Sequence, residues 1–227
     1  MIDFHSHILP KVDDGSKSVE ESVKMLKLLK RQGIETVLAT PHFYANHVTV
    51  DKFIERRNAS YNSLKPYLTD LPKIVLGAEV KFYEGISRLE NLQSLCIGDS
   101  KLILLEMPMK KWTEYTVREL IELSSKSEIK VVLAHIERYL SFQDKFLLEE
   151  LISQGILIQA NAEFFINFLT RRKAVTMLKK GHIHFIGSDC HNLTSRSPNM
   201  ELALSYIKRK AGNHFLSQIE SLAQRYI

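Results

Sequence analysis

Short apolar runs alternate along this chain with longer segments whose apolar residues recur at helical spacing. Apolar runs that lack a polar face are typical of parallel strands buried on both sides. The alternation is repeated about seven times, which predicts a parallel α/β protein, either a barrel or a doubly wound sheet. The runs are Ile2–Phe4, Thr36–Ala39, Ile74–Leu76, Leu102–Leu105, Lys130–Ala134, Ile156–Gln159 and His184–Ile186.

The helical segments carry start and stop signals. In the first, Ser18 and Glu21 form a capping box, and Gly33 is typical of a residue just past a helix end. A longer helix is predicted over Val50–Leu68. Further helices are predicted to start near Thr113, Asp144, Thr170 and Pro198, and a last one covers Asn213–Ile227.

Ionisable side chains follow the apolar runs on one side only. Six of the seven runs end in a His, Asp or Glu, always on the C-terminal side. In a parallel barrel these ends meet at one mouth, where active sites are built, whereas in an open sheet they would be spread along an edge. The placement therefore favours the barrel. His5 and His7 are two residues apart and so face the same side of an extended segment, and Asp189 and His191 repeat that spacing.

The ionisable residues that follow the apolar runs, together with Asp14, form a set of candidate metal ligands. An ion that takes about four to six ligands cannot use all of them, so we expect two or three metal ions. Nitrogen and oxygen ligands without a thiolate suit Mn, Fe or Zn better than Ca or Mg. The candidates are His5, His7, Asp14, His42, Glu79, Glu106, His135, Asp189 and His191.

The segment IGSDCHNLTSRSP, residues 186–198, admits a second chemistry. Cys190 and Arg196 have the spacing of a cysteine phosphatase loop. However, the residues between them include no glycine to let the backbone curl around phosphate, and Asp189 would disfavour a thiolate unless a metal neutralised it. Strand alternation also turns Cys190 away from the side that Asp189 and His191 share. We therefore predict that Cys190 is a buried small residue and not a nucleophile.

Charge and composition exclude several classes of protein. The 31 basic and 26 acidic residues give a net charge of +5, which suits an anionic substrate or acidic partner. They form no basic tail or stripe, so we expect no nucleic acid partner. Two cysteines imply no disulfide framework and favour the cytoplasm. We see no signal peptide or membrane-spanning run, so no membrane insertion is expected. The length fits a single domain over residues 1–227.

Six segments, in order, carry a family resemblance: IDFHSH, ATPH, LGAE, LLEMP, AHIER and GSDCHN. They resemble the polymerase and histidinol phosphatase (PHP) superfamily. Within it, IDFHSHILPKVDDGSKSVEES and AHIERY resemble the manganese-dependent bacterial protein-tyrosine phosphatases of capsular and exopolysaccharide operons. The similarity extends from Met1 to about Pro198.

The resemblance implies a distorted (β/α)7 TIM-like barrel with a trinuclear metal centre. It also implies that Arg138 and Arg196 bind the phosphate. The usual substrate in the family is a phosphotyrosine in the tail of a membrane-linked tyrosine autokinase that governs polysaccharide export. The implied ligand sets are His5, His7, Glu79 and Asp189 for one metal, Glu79, Glu106 and His135 for a second, and Asp14, His42 and His191 for a third.

A metal centre of this kind predicts a hydrolytic mechanism. Bridging metals lower the pKa of bound water from ~15.7 towards ~7, so that a metal-bound hydroxide can attack phosphorus. The planar donors of Arg138 and Arg196 match phosphate oxygens. A tyrosine leaving group with a pKa of about 10 needs little protonation. We expect any general acid to lie near Asp14.

Three other functions compete with a protein-tyrosine phosphatase. A small-molecule phosphatase of the same superfamily, for example one for histidinol phosphate, would share the metals. A nucleic-acid processing module is disfavoured because the chain has no basic stripe. A structural module would use its metals only to stabilise the fold.

Overall fold

A computed structural model describes residues 1–126, 129–144 and 146–227, and its strands form a curled parallel sheet. All pairs of neighbouring strands run parallel. The strands are Ile2–Ser6 (β1), Thr36–Ala39 (β2), His42–Phe43 (β3), Lys73–Leu76 (β4), Glu79–Lys81 (β5), Leu102–Glu106 (β6), Lys130–Leu133 (β7), Leu157–Asn161 (β8) and Phe185–Gly187 (β9).

Two of the seven predicted strands, Thr36–Ala39 and Ile74–Leu76, are each continued after a break by a second short strand beyond the predicted range. Residues 40–41 separate β2 from β3, and residues 77–78 separate β4 from β5. The order β1-β2-β4 forms one sheet and β3-β5-β6-β7-β8-β9 a second, so each split strand passes from the first sheet into the second. A parallel bridge between Ser6 and Cys190 then joins β1 to the segment after β9. The strand positions thus follow one another in chain order around a distorted barrel, as predicted.

Helices lie in most of the connections between strands. They are Val19–Arg31 (α1), Val50–Leu64 (α2), Glu114–Lys126 (α3), Leu147–Ser153 (α4), Ala162–Ile166 (α5), Arg171–Lys179 (α6), Met200–Lys210 (α7) and Asn213–Gln224 (α8). No helix in the described part of the chain is long and apolar enough to cross a membrane.

The helix ends agree with the sequence signals at α1 and depart from them at α2. The hydroxyl oxygen of Ser18 accepts a hydrogen bond from the backbone N–H of Glu21, as a capping residue does. The predicted helix over Val50–Leu68 instead ends as an α-helix at Leu64 and continues as a 3₁₀ turn over Lys65–Tyr67. Pro66 lies in that turn and has no N–H to extend the α-helical pattern.

The apolar core has two parts, one between strands and helices and one inside the barrel. The inner part is small, and Phe4 and Phe185 stack at its centre with their ring centroids 3.8 Å apart. Ala223, Tyr226 and the C-terminal residues pack against this inner part. Burying such a large apolar side chain contributes about 1.5–3 kcal/mol. The last helix, α8, therefore closes the barrel at the end opposite the strand C-termini.

Candidate metal centre

The nine predicted metal ligands lie together at the C-terminal ends of the strands. His5 and His7 are fully buried, and their Nε2 atoms are 3.1 Å apart. They reach this position because His5 lies near the end of β1 and His7 directly follows it, two residues on and so on the same side of the extended chain. An Asp189 oxygen lies 3.4 Å from Nε2 of His7 and 3.6 Å from Nδ1 of His191, so the end of β9 meets the end of β1.

The Glu79 carboxylate stands at the centre of the cluster. One of its oxygens lies 2.7 Å from Nε2 of His135. Its other oxygen, Oε2, lies 3.2 Å from Nε2 of His5, 3.3 Å from Nε2 of His7 and 3.0 Å from Nδ1 of His42. A single buried carboxylate therefore contacts imidazoles from three different strand positions, which is the arrangement of a bridging ligand.

Asp14, His42 and His191 form the outer side of the cluster. One Asp14 oxygen lies 3.5 Å from Nε2 of His42 and 3.5 Å from Nε2 of His191. The side chain of Asp14 is 64% exposed, whereas that of His191 is only 2% exposed. This side of the cluster therefore opens to solvent through Asp14.

Glu106 completes the cluster beside His135. One of its oxygens lies 4.0 Å from Nε2 of His135, and the other forms an ion pair of 3.0 Å with Nζ of Lys81. Lys81 is not among the predicted site residues. Its position two residues after Glu79 on β5 places both side chains on the same side of that strand.

Among the residues that the structure describes, three groups of side chains have the spacing to hold an ion each. Their ligand atoms lie within 4.8 Å of one another. The groups overlap with the three implied ligand sets but differ in membership, since His7 also joins the outer group and His42 also joins Glu79 and Glu106. The groups are His5, His7 and Asp189; His42, Glu79 and Glu106; and His7, Asp14, His42 and His191.

Unpartnered buried atoms show that the cluster suits divalent cations. Oε2 of Glu79, Nδ1 of His42 and Nε2 of His191 are buried and have no partner with hydrogen-bond geometry, although Glu79 and His42 are only 3.0 Å apart. Each such atom costs about 1–3 kcal/mol unless something pairs with it. All three atoms carry lone pairs that a metal ion can accept.

The charges in the cluster are strongly coupled. Burial opposes the charged form of His7, but the close carboxylates of Asp13, Asp189 and Glu79 outweigh burial and hold the pKa of His7 well above its usual value. Burial likewise opposes ionisation of Glu79, but the charge of His5 and the close imidazoles of His135 and His42 hold the pKa of Glu79 well below its usual value. Carboxylates that stay ionised and favour a protonated imidazole this strongly would also attract a divalent cation, which displaces the imidazole proton.

The backbone is in a rare conformation at two of the predicted ligands. His135 has φ of 34° and Asp189 has φ of 52°, a region that non-glycine residues seldom adopt. Each residue lies two positions past the end of its strand, His135 after β7 and Asp189 after β9. Strain of this kind persists where the surrounding structure fixes a side chain for function.

The two predicted phosphate-binding arginines lie on one side of the cluster. Nη2 of Arg138 and Nη2 of Arg196 each pair with a different oxygen of Asp189, at 2.7 Å for Arg196. Both guanidinium groups are about one-third exposed, at 34% and 37%. They therefore bring positive charge to the solvent-facing edge of the cluster, where an anion can reach it.

The thiol of Cys190 takes no part in the cluster. Its side chain is fully buried in the apolar core, as predicted. Burial and the nearby charge of Asp3 raise the pKa of Cys190 well above its usual value, so the thiolate is disfavoured. Within the described residues, the groups that could hold a metal include no cysteine.

Residues that are not among the nine predicted ligands hold the ligands in place. The Asp13 carboxylate contacts Nδ1 of His7 at 2.6 Å and accepts from the backbone N–H of His42 at 2.9 Å. The Asn161 amide donates to Asp189 at 2.9 Å, and the Gln159 amide donates to Asn161. Both amides lie at the end of β8. Their position at the end of a strand is the same signal that identifies the ionisable ligands, and it applies equally to amide side chains.

A family model described as capsular polysaccharide synthesis, CpsB/CapC, matches residues 1–225. The chain belongs to the CpsB/CapC family. It is 32% identical over 225 residues to the tyrosine-protein phosphatase CpsB of Streptococcus pneumoniae, which covers 93% of this chain and 91% of that protein. The family resemblance predicted from the sequence is confirmed.

Solved structures support the fold of this CpsB/CapC family member. The crystal structures of YwqE from Bacillus subtilis and CpsB from Streptococcus pneumoniae, described as unique metal-dependent tyrosine phosphatases, give a match with a TM-score of 0.83 at 24% identity, over 100% of this chain and 96% of the matched chain. Histidinol phosphate phosphatase from Lactococcus lactis matches with a TM-score of 0.58 at 16% identity, over 92% of this chain and 93% of that one. The predicted PHP barrel is thereby confirmed. The ligand roles of individual residues and the single-domain organisation stay predictions.

Proposed function

We propose that this protein is a metal-dependent protein-tyrosine phosphatase, and that the nine clustered side chains hold two or three divalent metal ions. The observation that carries the proposal is the convergence of five imidazoles and four carboxylates on one barrel mouth, next to two arginines that are about one-third exposed. The relatives of the chain are named tyrosine-protein phosphatases, which agrees with an anionic phosphate ester as substrate.

The ligand side chains have distinct parts in this proposal. Glu79 lies within 3.3 Å of His5, His7, His42 and His135, so we assign it as the carboxylate shared between ions. When bound, the metal ions would lower the pKa of water enough to supply hydroxide near neutral pH and would offset charge on the phosphoryl oxygens. The remaining ligands belong to the three sets implied by the sequence.

Arg138 and Arg196 bind and orient the phosphate. Their planar guanidinium groups present paired N–H donors that match phosphate oxygens. Burial opposes the charged form of Arg138, but the charges of Asp189 and Glu79 outweigh burial and raise its pKa, so the side chain stays cationic. The two arginines therefore stabilise the negative charge that develops on the phosphoryl group during attack.

Asp14 marks the place where the leaving oxygen takes up a proton. Its side chain is 64% exposed, so solvent reaches it directly. Its carboxylate contacts His42 and His191 at the rim of the cluster. A phenolate leaving group with a pKa of about 10 needs less help from an acid than an alkyl alcohol. We therefore place the proton donor beside Asp14 rather than deep among the histidines.

The target and the metal follow from the sequence resemblance. We propose manganese as the metal, with iron or zinc as the alternatives that the nitrogen and oxygen ligands allow. We propose a tyrosine autokinase of polysaccharide export as the protein substrate, and a cytoplasmic location for the reaction. The family description, capsular polysaccharide synthesis, agrees with this target.

Elemental analysis combined with a phosphatase assay tests the proposal. The purified protein should contain two or three divalent ions per chain and should hydrolyse a phosphotyrosine peptide faster than histidinol phosphate. Activity should disappear with a chelator and return with manganese. His5→Ala and Arg138→Ala should lose activity, while Cys190→Ser should keep it. Full activity in chelator, or a clear preference for histidinol phosphate, would contradict the proposal.

A further inference from the structure

A cleft of about 560 Å³ opens from the edge of the metal centre. Arg138, Asp189 and Arg196 belong to the lining of the cleft. The lining also includes residues of α5, residues of the segment after it, and Leu202 on α7. The cleft is therefore continuous with the two arginines to which we assign phosphate binding.

Large apolar side chains are exposed in the lining of this cleft and next to it in the sequence. Leu202 is 61% exposed, and Phe168 and Leu169, in the segment between α5 and α6, are 72% and 88% exposed. The cleft lining includes Asn167 and Thr170, the residues on either side of that pair. Large apolar side chains grouped at one place on a surface are typical of an interaction site.

Contacts with Arg171 join these exposed side chains into one surface. The Arg171 guanidinium lies 4.6 Å from the ring centroid of Phe168 and 5.2 Å from that of Tyr206 on α7. Tyr206 and Leu202 are four residues apart on this helix and so lie on the same face. Phe168 is therefore held against α7 before any partner binds, which reduces the entropy lost on binding.

The cleft also has polar groups in its lining. Asn199 lines the cleft, and its Nδ2 lies 3.5 Å from a carboxylate oxygen of Glu163, which also lines the cleft. Polar groups next to exposed apolar side chains suit an extended peptide, whose backbone N–H and C=O groups need hydrogen-bond partners.

We propose that this cleft binds the polypeptide on one side of the phosphotyrosine, and that the protein prefers targets with a large apolar side chain next to the phosphorylated residue. The inference rests on the proposed phosphatase function and names the substrate class more narrowly. The phosphate would lie at Arg138 and Arg196, and the neighbouring apolar side chain would contact Phe168, Leu169 or Leu202.

A second cleft near the centre is less suited to this role. It has about 620 Å³ and is lined by Tyr44, His47, Lys81 and Tyr83 among others. Among the described residues, no large apolar side chain with high exposure belongs to its lining. Of these two clefts, the one at Leu202 is therefore better suited to select an apolar side chain.

Steady-state kinetics with matched peptides tests the inference. One phosphotyrosine peptide carries Leu on both sides of the phosphotyrosine, the other carries Ser, and p-nitrophenyl phosphate serves as a substrate without a peptide. Burial of an apolar side chain predicts a KM about tenfold lower for the Leu peptide. Phe168→Ser and Leu202→Gln should each remove most of this preference through KM. Neither change should alter kcat/KM for p-nitrophenyl phosphate by more than about twofold.

Two control variants decide where the preference arises. Tyr67→Gln alters an exposed aromatic residue just before β4, at the other end of the barrel, and should keep the preference. His47→Ala alters the second cleft and should also keep it. Loss of the preference in His47→Ala, or its survival in both Phe168→Ser and Leu202→Gln, would overturn the inference.

Two further outcomes separate this inference from its alternatives. Equal KM values for the two peptides, with metal-dependent hydrolysis of p-nitrophenyl phosphate intact, would overturn the docking site and leave the phosphatase function standing. If Phe168→Ser changed no peptide KM but released the protein from phosphatidylglycerol vesicles in a sedimentation assay, the surface would be a membrane contact and the inference would be wrong. An absence of hydrolysis with every substrate would overturn both proposals.

Discussion

The hydroxyl of Tyr139 lies 3.0 Å from Nδ1 of His135, on the side of that ring away from Glu79. The backbone N–H of Met107 donates to the same hydroxyl at 3.0 Å. Metal binding at Nε2 of His135 requires the proton to stay on Nδ1, and the Tyr139 oxygen is in place to accept it. Tyr139 therefore fixes both the ring orientation and the tautomer that a ligand needs.

Tyr139→Phe should weaken metal binding without unfolding the protein. The change leaves Nδ1 of His135 and the N–H of Met107 without their buried partner, which costs about 1–3 kcal/mol of stability. Loss of a hydrogen bond behind a metal ligand typically lowers affinity by about 10- to 100-fold. Competition with a chelator of known affinity measures this effect. Tyr115→Phe, at an exposed ring, is the control, and equal affinities in the two variants would contradict the assigned role.

Asp13→Ala should also reduce metal binding, because Asp13 supports two ligands at once. Its carboxylate contacts the His7 ring at 2.6 Å and accepts from the backbone N–H groups of His42 and Gly15, each at 2.9 Å. We expect at least a tenfold loss of affinity, since supporting hydrogen bonds contribute about that much. Elemental analysis after dialysis against a dilute chelator measures the loss.

Asp13→Asn is the matched variant for this position. An amide oxygen can still accept from the His7 ring but carries no charge, so this variant should bind metal with an affinity between those of Asp13→Ala and the unchanged protein. Full metal content in Asp13→Ala would show that the neighbouring Asp14 or another group holds His7 and His42 in place.

The ligands could be predicted from the sequence because their positions depend on one local rule. Parallel strands that follow one another around a barrel bring their C-terminal ends together, so any His, Asp or Glu directly after an apolar run is placed at the mouth. His42 and Glu79 follow this rule even though the strands before them are interrupted. The interruptions change how hydrogen bonds connect the two sheets but not which end of the barrel the side chains face.

The supporting residues could not be predicted because their roles depend on contacts between distant segments. Asp13 meets His42 across 29 residues, and Asn161 meets Asp189 across 28. Nothing in the local sequence of Asp13 distinguishes it from Asp14, yet one carboxylate turns inward to His7 and the other remains exposed. Only the three-dimensional path of the loop after β1 separates the two roles.

Gly187→Ala should disrupt the centre through a direct clash with β1. A Cβ atom at this position would lie 2.5 Å from Cβ of His5 and 2.7 Å from its backbone nitrogen. Neither atom can rotate away, so we expect a loss of about 1–3 kcal/mol in the free energy of unfolding, together with displacement of the His5 ring. Urea unfolding and metal content measure the two effects.

Gly77→Ala provides the comparison for this clash. There the added Cβ would meet Cγ1 of Ile97 at 2.9 Å, a side-chain atom that can shift, and its nearest neighbours belong to Ile97 and Thr40, which are not predicted metal ligands. Gly77→Ala should therefore keep its metal. Equal metal content in the two variants would show that the contact between Gly187 and His5 does not position the ligand.

Acid should destabilise the protein partly through His184, which lies far from the metal centre at the start of β9. Its Nδ1 accepts a hydrogen bond from the backbone N–H of Ile158 at 3.1 Å. Burial and the nearby charge of His182 lower the pKa of His184 from 6.5 to about 4. Below pH 6.5 the unfolded chain therefore binds a proton that the folded protein does not, so stability falls as the pH drops from 6.5 towards 4.

His184→Gln should flatten this part of the pH profile. The variant cannot take up the proton, so its free energy of unfolding should decline less between pH 6.5 and about 4 than that of the unchanged protein, by on the order of 1 kcal/mol. Urea unfolding at a series of pH values measures the difference. His214→Gln, at an exposed ring, controls for the loss of a histidine as such. Parallel profiles for the unchanged protein and His184→Gln would mean that the ring takes up its proton as readily in the folded state as in the unfolded one.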